Sequence, residues 1–271
     1  MADARAATGH GADRRFELVV AAAPFEAAGR RIADCVRELT STAPCTGERE
    51  IRLAIPGGSA LAAAVHAAAL LGPLWQRIAL TWTDERCVPV DDPDSNRGAA
   101  RRAGLLGGAG GGDAHGSRAS HDSAKAAAAG SPEAGSTPAR IVPLFEDGES
   151  PDAAVAHSAR RIAAELGDRL DIAVLGMGAD GHVASLFPDR DAPRGGAVAH
   201  VPDAPKPPPH RITLTRRMLA SARHTILVAA GEEKRAALDR LCAGDRRLPA
   251  TGLPGLVVVT DLELARPERM R

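Results

Sequence analysis

Runs of Leu, Val, Ile and Ala, roughly four to eight residues long and closed by glycine, proline or charge, recur along the chain. FELVVAAA (16–23), IRLAIPGGS (51–59), RIALTWTDER (77–86), LDIAVLGMG (170–178), HTILVAAG (224–231) and GLVVVTD (255–261) each contain such a run. Uninterrupted apolar character is what a strand buried on both faces requires. Between them lie stretches of helical period: Phe25 to Leu39, LAAAVHAAALL (61–71) stopped by Gly72-Pro73, Asn96 to Leu106, about Asp152 to Leu166, and Glu232 to Leu241. ARIVPLF (139–145) restores order after a long polar stretch. AVAHVPD (197–203) and HRITLT (210–215) read as two short strands around the proline run 205–209. Strands alternating with helices predict an α/β fold, a doubly wound and mostly parallel sheet with helices on both faces, in a single domain over residues 15–271.

Two segments lack any apolar face. Residues 1–14 read as a disordered N-terminal tail. Residues 107–138 are Gly, Ala, Ser and Pro with little else, and read as a low-complexity mobile insertion in which His115 and His121 have no rigid frame to hold a metal.

Composition narrows the function classes. The 271 residues carry 34 basic and 34 acidic side chains, and this neutrality argues against a phosphate-backbone binder and so against nucleic acid. No apolar run suggests a membrane span or a secretory signal, and four cysteines without a CxxC pattern point to a reduced, cytoplasmic setting. Six aromatic residues against 56 alanines imply an aliphatic core. Arginine outnumbers lysine 31 to 3, which draws attention to Lys206 and Lys234.

Candidate chemistry gathers where strands end: 56–59, 83–86, 178–182 and 231–234. In doubly wound sheets ligands bind outside the carboxyl ends of the strands. Pro56-Gly57-Gly58-Ser59 offers a tight backbone approach to an anion, with Ser59 as a helix N-cap and hydroxyl donor; taken alone it is also a plain strand–helix turn. Thr83-Asp84-Glu85-Arg86 sets a guanidinium suited to phosphate beside two carboxylates, and Asp94-Ser95-Asn96 follows as a cap or a hydroxyl-binding loop. Gly231-Glu232-Glu233-Lys234 places a lysine in the first turn of a helix, and Lys206 and Arg211 add two cations.

Gly176-Met177-Gly178-Ala179-Asp180-Gly181-His182 matches GxGxxG after a strand. A dinucleotide site needs a long helix next, and Pro188 arrives within seven residues of Gly181. What remains is a turn presenting Asp180 and His182, an imidazole with a carboxylate two residues away, able to act as general base toward water. A capping Asp and a packed His is the plainer reading of the same residues.

Taken in order, IPGGS (55–59), WTDERCVP (82–89) with DSN (94–96), LGMGADGHVASLFP (175–188), PKPPPHRITLT (205–215) and AAGEEKRAAL (229–238) resemble the 6-phosphogluconolactonases. Glucosamine-6-phosphate deaminases and isomerases share the fold and the DGH core but typically continue into an FNEP-like sequence where this chain has ASLFP. The resemblance implies hydrolysis of 6-phospho-D-glucono-1,5-lactone to 6-phosphogluconate in the oxidative pentose phosphate pathway, without metal or cofactor. It implies His182 as the base, Asp180 as its support and Asp84 as a polar group at the sugar end. Gly57, Gly58, Ser59, Arg86, Asn96, Arg211, Lys234 and Lys206 are implied as the phosphate- and hydroxyl-binding set. The implied partner is the small sugar-phosphate lactone alone, on a monomer or weak homodimer. A deaminase or isomerase of the same fold, and a non-catalytic sugar-phosphate binder, are the alternatives. The sequence departs from the family at Asp189, at His210 before Arg211, in the length of 107–138, and after Leu248.

Overall fold

The computed structural model describes residues 16–41, 49–107, 137–167, 169–191, 193 and 195–264. The 1–14 tail and nearly all of the 107–138 insertion, with His115 and His121, lie outside the described residues.

A parallel sheet forms the frame. Its strands are β1 (Glu17–Val20), β2 (Ile51–Ile55), β3 (Ile78–Trp82), β5 (Arg140–Val142), β6 (Ile172–Gly176), β9 (His224–Val228) and β10 (Leu256–Thr260), and they lie in the order β1-β10-β9-β6-β2-β3-β5. Every residue of β3 and β10 is buried, as is every residue but one of β2, β6 and β9. Because successive side chains point to opposite faces, such burial means that both faces are covered. Each large aliphatic side chain so enclosed contributes about 1.5–3 kcal/mol. From β2 the chain winds outward through β3 to β5, then returns to the other side of β2 for β6, β9 and β10. The reversal opens a crevice between the carboxyl ends of β2 and β6.

The helices are α1 (Pro24–Ser41), α2 (Leu61–Leu71), α3 (Asn96–Arg102), α4 (Pro151–Glu165), α5 (Arg216–Leu219) and α6 (Arg235–Cys242). Alanine content sets the spacing of α1 on α2. Gly29 lies against α2 so closely that an added Cβ would stand 3.0 Å from the Ala63 carbonyl. The helical stretch Gly58–Arg77 has a mean hydropathy of 1.4, enough by length and composition for a membrane span, which the sequence expectation missed. Here α2 is a core helix, with eight of its residues buried. Trp75 and Trp82 are fully enclosed, and Trp75 Nε1 donates to the Leu105 carbonyl at 3.1 Å.

Two expectations about local structure are corrected, and the two short strands around the proline run are found, in a sheet of their own. The stretch 77–86 is not one strand: it breaks at Thr83, and β4 (Asp84–Arg86) leaves for a second sheet. Thr83 is the junction, since its N–H bonds the Ile55 carbonyl at 2.9 Å while its own carbonyl accepts from Leu214 N–H at 2.8 Å. The strands β7 (Val198–Val201) and β8 (Arg211–Leu214) pair antiparallel with each other, and β8 with β4, in a separate three-stranded sheet of order β4-β8-β7. The stretch from Glu232 starts as a 3-10 turn, Glu232–Lys234, so Lys234 is the N-cap of α6 rather than a residue of its first turn.

Candidate active site

Strand ends bring the polar clusters together. A cavity of about 260 Å3 opens at the β2–β6 crevice, and Asp180, His182, Asp84, Gly57, Gly58, Ser59, Arg86, Asn96, Arg211, Lys234 and Lys206 all line it. The parallel sheet supplies its floor from the ends of β2, β6 and β9, and the small sheet supplies one wall through β4 and β8.

The turn after β6 carries the imidazole. Gly181 adopts a φ of 92°, which lets the chain double back so that Gly178 N–H reaches the His182 carbonyl at 2.9 Å and Gly181 N–H the Gly178 carbonyl at 2.9 Å. Asp180 Oδ1 lies 2.6 Å from His182 Nδ1 and accepts the His182 backbone N–H at 3.3 Å. Partial burial works to raise the Asp180 carboxyl, but the His182 charge and these hydrogen bonds outweigh it, and its pKa is held below the ordinary value. An ionised Asp180 calls for a proton on Nδ1, so that in the neutral ring the lone pair is on Nε2. The His182 side chain is 19% exposed, and Phe187 packs on its ring with centroids 4.9 Å apart. The amides of Gly178, Gly181 and His182 are committed inside the turn, so they are not the ones to receive a developing oxyanion.

On the other side of the crevice, Ser59 sits within a 3-10 turn, Gly58–Ala60. The capping expectation fails, because the caps of this turn and of α2 are Gly57 and Ala60, and neither makes a side-chain cap bond. The Ser59 hydroxyl therefore remains a cavity group. Gly58 adopts a φ of 62° with open space where a Cβ would be. Asn96 is 3% exposed and its Nδ2 donates to the Asp84 carbonyl at 2.8 Å, while Ser95 caps α3 by accepting from Gly98 N–H.

The cations differ in their commitments. Arg86 Nη1 donates to the Asp94 carbonyl at 2.7 Å, while its buried Nε has no partner among the described residues. Lys234 Nζ lies 3.7 Å from Glu233 Oε1. Lys206 is exposed at the rim. Arg211 is 5% exposed, and it braces the proline segment, Nε to the Pro208 carbonyl at 3.1 Å and Nη2 to the Lys206 carbonyl at 2.8 Å. Burial lowers the Arg211 pKa, with Asp84 opposing that shift.

Ser185 and Phe187 were given no role by the sequence, and Glu85 stood there only as one of two carboxylates beside Arg86. Glu85 is 3% exposed and accepts backbone N–H groups from Arg86, Asn96 and Arg97 at 2.7, 2.8 and 2.6 Å, tying the start of α3 to β4. Burial pushes its pKa up to about 7 against the pull of those three donors. Ser185 Oγ donates to Asp84 Oδ2 at 2.6 Å. The signals available for Ser185 and Phe187 were their place in ASLFP and in a stretch after His182 too short for a helix.

A model of the family described as glucosamine-6-phosphate isomerases/6-phosphogluconolactonase matches residues 21–258. The chain is 46% identical over 90 residues to the 6-phosphogluconolactonase of Homo sapiens, a match covering 32% of this chain and 34% of the human protein. It is 31% identical over 208 residues to that of Neisseria meningitidis serogroup A, covering 72% of this chain and 75% of that protein. The crystal structure of a 6-phosphogluconolactonase from Thermotoga maritima aligns with a TM-score of 0.68 at 22% identity, covering 90% of this chain and 97% of that one. At such identity the structural likeness shows the fold.

Proposed function

The chain belongs to the glucosamine-6-phosphate isomerase/6-phosphogluconolactonase family, and from this we propose that it hydrolyses 6-phospho-D-glucono-1,5-lactone to 6-phospho-D-gluconate in the oxidative pentose phosphate pathway. The observation that carries the reading is the His182 Nδ1–Asp180 Oδ1 contact of 2.6 Å, in a cavity also lined by four cationic side chains and the glycine turn after β2.

In this reading His182 Nε2 takes a proton from water as the oxygen attacks the lactone carbonyl, while Asp180 holds the ring by its Nδ1–H. Negative charge gathers on the carbonyl oxygen and is met by the positive field of the cavity. The imidazolium then returns its proton to the ring oxygen as the C–O bond breaks, giving the open acid. Gly57, Gly58, Ser59, Arg86 and Lys234 hold the phosphate and Asn96 supports the glycine turn. Arg211 and Lys206 close the near wall. Gripping the remote phosphate fixes the reacting carbon beside the base. We propose that the chain does so without metal or cofactor, as a cytoplasmic monomer or weak homodimer.

The lactonase is favoured over an aminosugar-phosphate deaminase because ASLFP puts an apolar ring, Phe187, on the imidazole. A deaminase would release ammonia from glucosamine 6-phosphate, and a mere binding protein would turn over neither substrate. The test uses lactone generated in situ by glucose-6-phosphate dehydrogenase, read above its spontaneous hydrolysis. His182→Ala is expected to lower kcat by about 10^2- to 10^4-fold with phosphate inhibition unchanged. A variant near wild-type rate overturns the role.

A further inference from the structure

Asp84 is held through one of its two carboxylate oxygens. Oδ2 accepts the Ser185 hydroxyl at 2.6 Å and lies 4.0 Å from Arg211 Nη1. Among the described residues no donor is directed at Oδ1. Ser185 is itself fixed: it is 1% exposed, and its backbone N–H donates to Thr213 Oγ1 at 3.2 Å. Thr213 stands opposite Asp84 in the β4–β8 pairing. The segment carrying Ser185 begins at His182 and bends at Ala184, whose φ of 51° is uncommon outside glycine, and Val183 and Leu186 close it by a bridge.

The base and the group that fixes Asp84 thus share one short turn. A hydroxyl has a single proton, and the one on Ser185 is directed at a carboxylate at the short distance of a charge-assisted bond. This leaves Asp84 with one oxygen occupied and one for a ligand. A carboxylate in this state only accepts, so the complementary group is a hydrogen-bond donor, which on a sugar lactone is a hydroxyl.

We propose that Ser185 is a positioning residue that aims Asp84 Oδ1 at a ring hydroxyl of the substrate, making the pair a specificity element for polyhydroxylated over deoxygenated lactones. The inference rests on the lactonase reading. A substrate without that hydroxyl would leave a buried acceptor unpaired, a penalty that sites built to hydrogen-bond a hydroxyl use for discrimination.

A double-mutant cycle tests it. Ser185→Ala is expected to lower kcat/KM by roughly tenfold, mainly through KM, and Asp84→Ala by more. The doubly substituted protein should match Asp84→Ala alone, because Ser185 acts only through Asp84. Equilibrium binding of 6-phosphogluconate by calorimetry reads the same cycle without turnover. Ser185→Cys, close in size and a weak donor, should fall between wild type and Ser185→Ala and guards against a folding defect. Inhibition by inorganic phosphate should be alike in all four members of the cycle. Effects that multiply, or a Ser185→Ala protein within twofold of wild type in both measurements, overturn the proposal. A wild type that binds 6-phosphogluconate but does not turn over the lactone sinks the hydrolase reading and leaves the binding cycle to decide this one. A wild type that does not bind 6-phosphogluconate overturns both.

Discussion

The His182 ring occupies the space that a side chain on Gly178 would need. An added Cβ there would overlap the imidazole and stand 2.6 Å from Asp180 Oδ1. The Gly178 backbone does not require glycine, since its φ is not positive, and the overlapped ring can swing away. Gly178→Ala should therefore keep its fold and lose its chemistry. Thermal unfolding is expected within about 1 kcal/mol of wild type, while kcat falls about 100-fold as the imidazole is turned from Asp180. A large drop in unfolding temperature would show instead that the turn is rigid.

Gly57 predicts the opposite pattern. Its Cβ would overlap the Asn96 amide, which is buried and bonded to the Asp84 carbonyl, so the neighbour cannot yield. Gly57→Ala should cost about 1–3 kcal/mol by overpacking and reduce kcat/KM as well. Urea denaturation and steady-state kinetics on one preparation check both; a loss of activity with unchanged stability would contradict this account.

Glu85 gives a pH dependence with a definite sign. Burial, opposed by three backbone donors, raises its pKa from 4.5 to about 7 in the folded chain. Between those values the folded state keeps a proton that the unfolded state has released. Its contribution is full below pH 4.5 and is lost as pH rises through about 7. Glu85→Gln cannot ionise, so the stability difference between variant and wild type should move in the variant's favour by up to roughly 3 kcal/mol from pH 4.5 to 8. Urea midpoints across that range decide it, and parallel curves for the two proteins would refute it.

Arg211→Lys tests the near wall. A lysine cannot reproduce the fork that reaches the Pro208 and Lys206 carbonyls together. Stability is expected to fall by about 0.5–1.5 kcal/mol as one part-buried carbonyl loses its donor, and KM to rise as the 205–209 segment loses its brace. Unchanged KM would separate that segment from substrate binding.

The frame was legible because parallel strands buried on both faces leave unbroken apolar runs, and β2, β6, β9 and β10 lie where those runs are. The clusters at strand ends were legible for the same reason: the carboxyl ends of such strands share one edge. What escaped was pairing between distant segments. Nothing in TWTDER marks Thr83 as the residue where one sheet hands the chain to another, since its backbone partners are Ile55 and Leu214. Ser185 stayed hidden for a similar cause, because its meaning depends on Asp84, 101 residues away. Ser59 was misjudged as a cap because a 3-10 turn intervenes before α2.

Pocket residues come from chain positions as far apart as Pro56 and Lys234. Long loops must close before these segments meet, which makes their assembly slow relative to local helix formation. During refolding from denaturant, recovered catalysis should trail the return of helical circular dichroism, so enzymatic rate reports on the last contacts to form.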